Sequence, residues 1–409
     1  MPLISCHDCD LIHWFGHVSE GSAARCTRCG AVLYQNKRDS IERTLALTVT
    51  GLILFVVANA FPFLGFKLQA QVHETILITG VRELYHQGVW ILATVVLLTT
   101  IVMPAAQMLG LLYVLVPLRL NRIPWKLREV FRFVLSLRPW AMMEVFMLGI
   151  LVSIVKLAKM ATIVPGIAAF AFMALIFILA ASLATLDPHA VWGKIKFQEN
   201  IRIFPAARSK PIACHTCHLL CPSPSREVHG LTCPRCGTHL HRRKPSSLVR
   251  TWSLILAAAI FYVPANVLPI TIVTSLGKKQ ADTIISGVMY FISTGMWPIA
   301  LVIFVASVFV PLLKLLTLSY LASSVQRKSR WRPGDRTKIY RMTEIVGRWS
   351  MVDVYVVSIL VAMVNLGALA TVEAGPAAVY FCSVVIITMF AAMSFDPRLI
   401  WDNCEDGHE

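Results

Sequence analysis

The sequence predicts an all-α polytopic membrane protein made of two tandem four-helix transmembrane bundles, each preceded by a small cysteine-bound domain. Three observations predict it. Eight apolar runs fall in two sets of four, the chain repeats itself at an offset of 207 to 209 residues, and two C-x2-C pairs stand ahead of each set. Composition agrees: 56% hydrophobic residues, 15% charged and a mean hydropathy of +0.67 are not the usage of a soluble domain.

The runs are Thr44 to Phe63, Trp90 to Leu115, Trp140 to Ala161, Gly166 to Leu186, Leu248 to Leu268, Met296 to Leu321, Met351 to Ala370 and Ala377 to Phe395. Each has roughly 20 residues, enough to cross a hydrocarbon core of ~30 Å at ~1.5 Å per residue. The first begins only after a long polar, cysteine-bearing stretch, so it reads as a span and not as a removable signal segment. The net charge of +16 follows the same layout. Segments 1–43, 118–139, 188–247 and 322–348 hold 5, 6, 10 and 8 Lys plus Arg, against Lys67, Arg82, Lys278 and Lys279 in the two longest loops of the other side. Short basic loops stay in the cytoplasm, which places both termini there. The charge is topology and attraction to anionic headgroups, and no nucleic-acid partner is expected.

The repeat is dense. Cys6-x-x-Cys9 and Cys26-x-x-Cys29 recur as Cys214-x-x-Cys217 and Cys233-x-x-Cys236. Ala58-Asn59-Ala60-Phe61-Pro62 recurs as Ala265-Asn266-Val267-Leu268-Pro269, and Pro104, Glu144 and Asp187-Pro188 as Pro311, Asp353 and Asp396-Pro397. Four spans return the chain to its starting side, so the halves form a parallel repeat. Outside the membrane, Phe66, Leu68, Ala70 and Val72 alternate with polar residues and predict a strand, with a helical stretch over Val81 to Gln87. Ile270, Ile272 and Leu276 keep a weaker version, so short periplasmic caps of strand and helix are expected.

Cys6, Cys9, Cys26 and Cys29, and again Cys214, Cys217, Cys233 and Cys236, have the spacing of paired knuckles that aim four thiolates at one point. Gly30 and Gly237 supply the positive φ such turns use. A domain of about 40 residues has too little core to fold unaided, so two structural zinc sites are expected, with iron as the rival ion for an S4 tetrahedron. Cys221, Cys382 and Cys404 have no matching partners, and His7, His13, His215, His218 and His239 read as surface residues.

Charges at membrane depth are functional candidates. Lys314 and Asp353 fall at similar depth in the sixth and seventh runs and are expected to meet as an ion pair. Ser307, Ser350 and Thr388 complete a polar set in the second half. Glu144 stands where the second half has Asp353, and Gln107 where it has Lys314, so the halves are chemically unequal. Lys156 and Lys159 sit near the outer end of the third run and are expected to snorkel. With no P-loop, no H-E-x-x-H and no nucleophile elbow, no enzyme activity is expected.

Two cysteine ribbons, each leading into four spans with an A-N-x-x-P near the end of the first, resemble the paraquat-inducible protein A family of Gram-negative inner-membrane proteins, over essentially the whole chain. The resemblance implies a partner, a periplasm-spanning mammalian-cell-entry (MCE) domain protein that forms a hydrophobic tunnel, and a substrate, phospholipid. It also implies polar residues at the Lys314 and Asp353 positions. The expected organisation is a zinc ribbon over 1–43, a first bundle over 44–187, a linker with the second ribbon over 188–247, a second bundle over 248–396 and a cytoplasmic tail over 397–409. The expected function is that of an inner-membrane subunit exchanging lipid with the tunnel through a cavity open to the periplasmic leaflet, coupled to protonation of the Lys314/Asp353 pair. A non-transporting scaffold that anchors the MCE protein and recruits partners through its ribbons is the alternative, and a membrane redox protein a third reading.

Overall fold

The computed structural model describes residues 3–14, 16, 18–68, 71–157, 162–195, 211–222, 231–275, 278–363 and 370–405. Among them, seven helices are long and apolar enough to cross a membrane: Ser40–Ala60, Trp90–Arg119, Ile167–Thr185, Ser247–Val267, Ala300–Gln326, Pro333–Ala362 and Pro376–Ser394. The run expected over 140–161 gives a helix over Met143–Leu157, too short by itself to count as an eighth. The rest of that run, with Lys159 and the side chain of Lys156, lies outside the described residues. In chain order the eight main apolar helices are called one to eight, helix three being Met143–Leu157 and helix seven Val352–Met363.

Helix one packs along helices four and two, and helix five along helices eight and six. Helix three departs from this scheme. It packs on helix seven of the other half far more than on helix four. Gly149 is the reason they come so close, because a Cβ there would stand 2.8 Å from Cβ of Tyr355. Tyr355 also donates to Thr99 Oγ1 at 2.9 Å, a hydrogen bond between the halves. Met351 to Val361 are all buried, so helix seven is the axis of the molecule.

Helices two and six each carry a π-helical turn, Leu98–Val102 and Val305–Phe309, just ahead of Pro104 and Pro311. A proline has no N–H for the ordinary ladder, and the turn before it widens: Met103 N–H bonds to Leu98 O and Val310 N–H to Val305 O, five residues back.

At one end of the helices lie two antiparallel three-stranded sheets. In the first, Leu64–Leu68 runs between Gln71–Thr75 and Thr162–Pro165; in the second, Thr271–Ser275 runs between Lys278–Asp282 and Ala370–Ala374. The alternation over 66–72 thus becomes two strands rather than one; residues 69 and 70, and Leu276 in the second half, lie outside the described residues. Helices Leu77–His86 and Ile284–Ser293 follow the sheets. The first of these rests on helix seven, and Gln87 then clamps the edge strand of the second sheet, its amide donating to Val372 O at 3.2 Å and accepting from Ala374 N at 3.0 Å.

At the opposite end sit the two cysteine domains, and they are crossed. The N-terminal ribbon, with hairpins Leu3–Ser5/Ile12–Trp14 and Ala23–Arg25/Val32–Gln35, packs on Leu321, Val325, Tyr340, Phe395, Ile400 and Trp401 of the second half. The second ribbon packs on Leu118, Phe131, Leu186, Val191 and Trp192 of the first. Knuckle arginines hold both docks: the Arg28 guanidinium lies 4.4 Å over the Trp401 ring, and Arg235 Nε donates to Trp192 O at 2.9 Å. The ribbons also touch each other, with the rings of His7 and His218 6.3 Å apart. Of the histidines expected on the surface, His218 is half-buried in that contact, between His7 and His189, because the crossed docking brings the first knuckles together.

Corresponding links tie each ribbon-end turn to its own helices. Ser40 Oγ donates to Thr185 O and accepts from Asp187 N; Ser247 Oγ donates to Ser394 O and accepts from Asp396 N. The two aspartates then differ. Both are buried and accept from the N–H two residues on, His189 N to Asp187 at 2.9 Å and Arg398 N to Asp396 at 3.1 Å, but Asp396 also holds the Arg398 guanidinium through Nε at 3.0 Å and a second nitrogen at 3.1 Å. Burial pushes the Asp396 carboxyl up, but the Arg398 hydrogen bonds and charge outweigh it and hold it below the ordinary carboxylate value. Its contribution to stability is therefore complete at neutral pH and is lost only as the pH falls through that lowered value. Asp396→Asn, which leaves Arg398 buried without its partner, is expected to cost about 3 kcal/mol. Asp187→Asn, which keeps a capping side chain, is expected to cost well under about 1 kcal/mol. Thermal unfolding of the two variants at pH 7 checks the difference.

Candidate metal centres and an intramembrane polar site

Each C-x2-C pair sits on a knuckle whose geometry is in the backbone. The residue after the second cysteine turns back to the first: Asp10 N to Cys6 O, Gly30 N to Cys26 O, His218 N to Cys214 O and Gly237 N to Cys233 O, all at 2.8 to 2.9 Å. All four take positive φ, from 57° to 73°. Glycine serves at two; Asp10 and His218 accept the strain at the others.

The knuckles bring the sulfurs together. Cys6, Cys9, Cys26 and Cys29 are buried with their Sγ atoms all within 4.8 Å of one another, and so are those of Cys214, Cys217, Cys233 and Cys236. Cys6 and Cys29, Cys9 and Cys26, Cys214 and Cys236, and Cys217 and Cys233 approach to 3.4 to 3.5 Å. Two buried sets of four soft donors with no disulfide between them could each hold a metal ion, and the donor set suits zinc. Cys221 is buried beside the second cluster and belongs to neither.

The second candidate site is centred on Lys314, which helix six carries to a position 2% exposed. Its ammonium donates to Ser350 Oγ at 3.0 Å and Thr388 Oγ1 at 3.4 Å. The expected pairing with Asp353 is not formed: equal depth does not give equal azimuth. The 3₁₀ turn Arg348–Met351 puts Ser350 on the side of helix six, and Asp353 lies one turn further along helix seven. Lys314 is thus a buried lysine held by neutral hydroxyls. Ser307 is buried in the π turn and back-bonds to Ile303 O at 2.6 Å rather than reaching the lysine. Glu144 is exposed at the start of helix three.

The first half has no such site. Gln107 occupies the position of Lys314 and is fully buried, yet neither amide atom has a hydrogen-bond partner among the described residues. Ala141 and Leu179 stand where the second half has Ser350 and Thr388.

Lys314 and Thr388 line a cavity of about 370 Å³ at the ribbon end of helix six, with Arg138 of the first half and Glu344 and Gly347 of the second. A second cavity lies at the sheet end, lined by Phe63, Leu64, Thr75, Gly80 and Ser358, on the side where an opening toward the sheets is expected. Gly347 was not singled out by sequence, yet a Cβ there would stand 2.9 Å from Lys314 Cε. No periodic signal marks it, because its requirement comes from a helix remote in sequence.

The description "PqiA: Paraquat-inducible protein A" matches residues 41–196 and 248–405. The chain is 32% identical over 416 residues to the "Intermembrane transport protein PqiA" of Escherichia coli K12, covering 99% of this chain and 97% of that one. It is 30% identical over 410 residues to the "Lipophilic envelope-spanning tunnel protein A" of the same organism, covering 98% and 92%. A "Probable intermembrane transport protein" of Haemophilus influenzae is 28% identical over 410 residues, covering 98% and 95%. No solved structure gives a significant match. With its crossed cysteine ribbons, seven apolar spanning-length helices and matches over nearly its whole length, this multi-pass membrane protein belongs to the paraquat-inducible protein A family.

Proposed function

We propose that the chain is the inner-membrane subunit of an intermembrane lipid transport system and exchanges phospholipid with a periplasm-spanning MCE-domain tunnel. Relatives named for intermembrane transport and for a lipophilic envelope-spanning tunnel support the substrate class and the partner. The observation that carries the reading is Lys314, a buried lysine with two hydroxyl partners at the wall of a cavity. A buried lysine without a carboxylate partner is costly, which makes the position a functional candidate. A lysine held by hydroxyls can give up its proton without stranding a carboxylate, so Lys314, Ser350 and Thr388 form the protonation site of this reading, with Asp353 one turn away.

The same proposal takes helix three as an eighth span. It places the halves 44–187 and 248–396 as a parallel repeat, the sheets in the periplasm, and the ribbons (1–43 and within 188–247) and termini in the cytoplasm. Each four-cysteine cluster holds a structural zinc. No step is chemical, and the protein is not an enzyme in this reading.

Lys314→Met keeps the length of the side chain and removes the charge. At normal protein levels it is expected to lower lipid transfer between vesicles by at least about tenfold, or ~1.4 kcal/mol. Full transfer by that variant would leave the scaffold as the better description.

A further inference from the structure

We propose that the Lys314 cavity is a headgroup site for an aminophospholipid entering from the leaflet at the ribbon end, with the phosphate between Lys314 and Arg138 and the amine toward Glu344. The inference rests on the lipid reading above and names the lipid class and the side of entry.

The cavity lies on the seam between the halves. Leu135 reaches it from the amphipathic helix Leu127–Leu137 and Arg138 from that helix's end, and next to them the rings of Trp140 and Phe390 meet across the seam at 5.3 Å. Glu344 comes from the helix Pro333–Gly347, which is fixed to helix eight by the Tyr340 hydroxyl donating to Ala392 O at 3.2 Å. Neither half encloses the space alone.

The charges on its wall are two cations and one carboxylate. Lys314 is the deep one, almost wholly out of water, and its two hydroxyl partners bring no counter-charge. A phosphodiester is the complement it lacks, and a guanidinium at the seam adds the planar fork that phosphate oxygens take. Glu344 is exposed, so it stands at the mouth, where the amine of a headgroup would trail its phosphate. A glycerol or sugar headgroup would leave that carboxylate facing a hydroxyl. Met389 and Met393 give the opposite wall an apolar, adaptable surface for the start of the acyl chains. Gly347 is part of the device: any larger residue would push the Lys314 side chain from its place.

The full-length protein, purified in mild detergent, is equilibrated with equal amounts of dioleoyl phosphatidylethanolamine and dioleoyl phosphatidylglycerol, and retained lipid is read by native mass spectrometry. The expected result is a preference for the ethanolamine lipid of about fivefold. Glu344→Gln is expected to abolish the preference while total retention holds, and Arg138→Gln and Gly347→Ala to lower total retention. Millimolar inorganic phosphate is expected to displace nothing. Displacement by phosphate would make this a free-anion site and overturn the lipid assignment. A preference unchanged in Glu344→Gln, or retention unchanged in Arg138→Gln, overturns this inference and leaves the transport reading standing. Retention of no phospholipid by the unaltered protein would instead remove the transport reading itself.

Discussion

Replacing Cys26 by serine is expected to loosen the second half of the molecule and leave the first half tight; replacing Cys233 is expected to do the reverse. The crossed docking demands it. The N-terminal ribbon leads by sequence into helix one, yet its apolar face is spent on Tyr340, Phe395, Ile400 and Trp401. Its charges are spent there too. Asp8 receives Arg341 Nε at 2.6 Å, and Asp10 shares Arg243 with Asp402 at the chain's far end. Burial pulls the Arg243 guanidinium down, but Asp402 and Asp10 outweigh it and hold its proton more firmly than usual. A ribbon this small would draw its folding free energy from an ion held by its four thiolates, on the order of 10 kcal/mol for such a site. Losing one thiolate of four should leave it unfolded. Trypsin then reports which half has lost its cover. In Cys26→Ser, cleavage is expected to speed up in the exposed segment at Arg327, Lys328 and Arg330; in Cys233→Ser, at Arg119, Arg122, Lys126 and Arg128. Metal analysis should give one ion instead of two in each. If each ribbon protected the loop of its own half, the crossed arrangement would be wrong.

That crossing explains what the sequence could and could not disclose. The knuckles were legible because a metal site is a local pattern: two C-x2-C pairs, a glycine after the second, and the same again some 207 residues on. The apolar runs were legible because membrane thickness sets their length. Nothing local says which bundle a ribbon docks on. The docking residues, Leu321 and Trp401 for the first ribbon and Leu118 and Trp192 for the second, sit in stretches that read equally well as helix ends. The polar site was half legible. Lys314 stands out as a charge at membrane depth and Ser350 and Thr388 as polar residues of the same half, and the structure brings these three together. Its other walls, Arg138, Glu344 and Gly347, lie in polar or terminal segments where a charge or a glycine costs nothing and so carries no signal. The partnership of helices three and seven was hidden for a further reason. A repeat predicts what each copy does with itself, and this contact is made between copies.

The repeat itself hides a constraint that appears only as a close approach. Gly375→Ala is expected to destabilise the protein by about 3 kcal/mol, the upper end for overpacking. Gly166→Ala should match it, while Gly287→Ala should be neutral or stabilising by up to about 1 kcal/mol. The A-N-x-x-P motif is the source. Asn59 and Asn266 each donate back to the carbonyl four residues earlier, Phe55 at 2.8 Å and Tyr262 at 2.9 Å, and finish their helix. The proline then presents its carbonyl to the start of the fourth helix of the half. Ala168 N donates to Pro62 O at 3.4 Å and Ala377 N to Pro269 O at 3.1 Å, which supplies an acceptor for an N–H that a helix start leaves without one. For that carbonyl to come so near, the residue before the helix must have no side chain. A Cβ on Gly166 would stand 2.2 Å from Pro62 O, and one on Gly375 2.2 Å from Pro269 O. The obstructing atom is backbone, tied into the three-stranded sheet next to it, so it cannot swing aside as a methionine end would. Gly287 meets nothing within 4 Å, although its counterpart Gly80 lies 3.1 Å by the same measure from Ser358 Oγ of helix seven. Two glycines aligned by the repeat therefore carry different demands, because only the first half sends its outer helix onto the central one. Thermal unfolding of the three alanine variants in one detergent decides it. Equal stability of Gly375→Ala and Gly287→Ala would mean that the proline carbonyl does not hold the helix start as described.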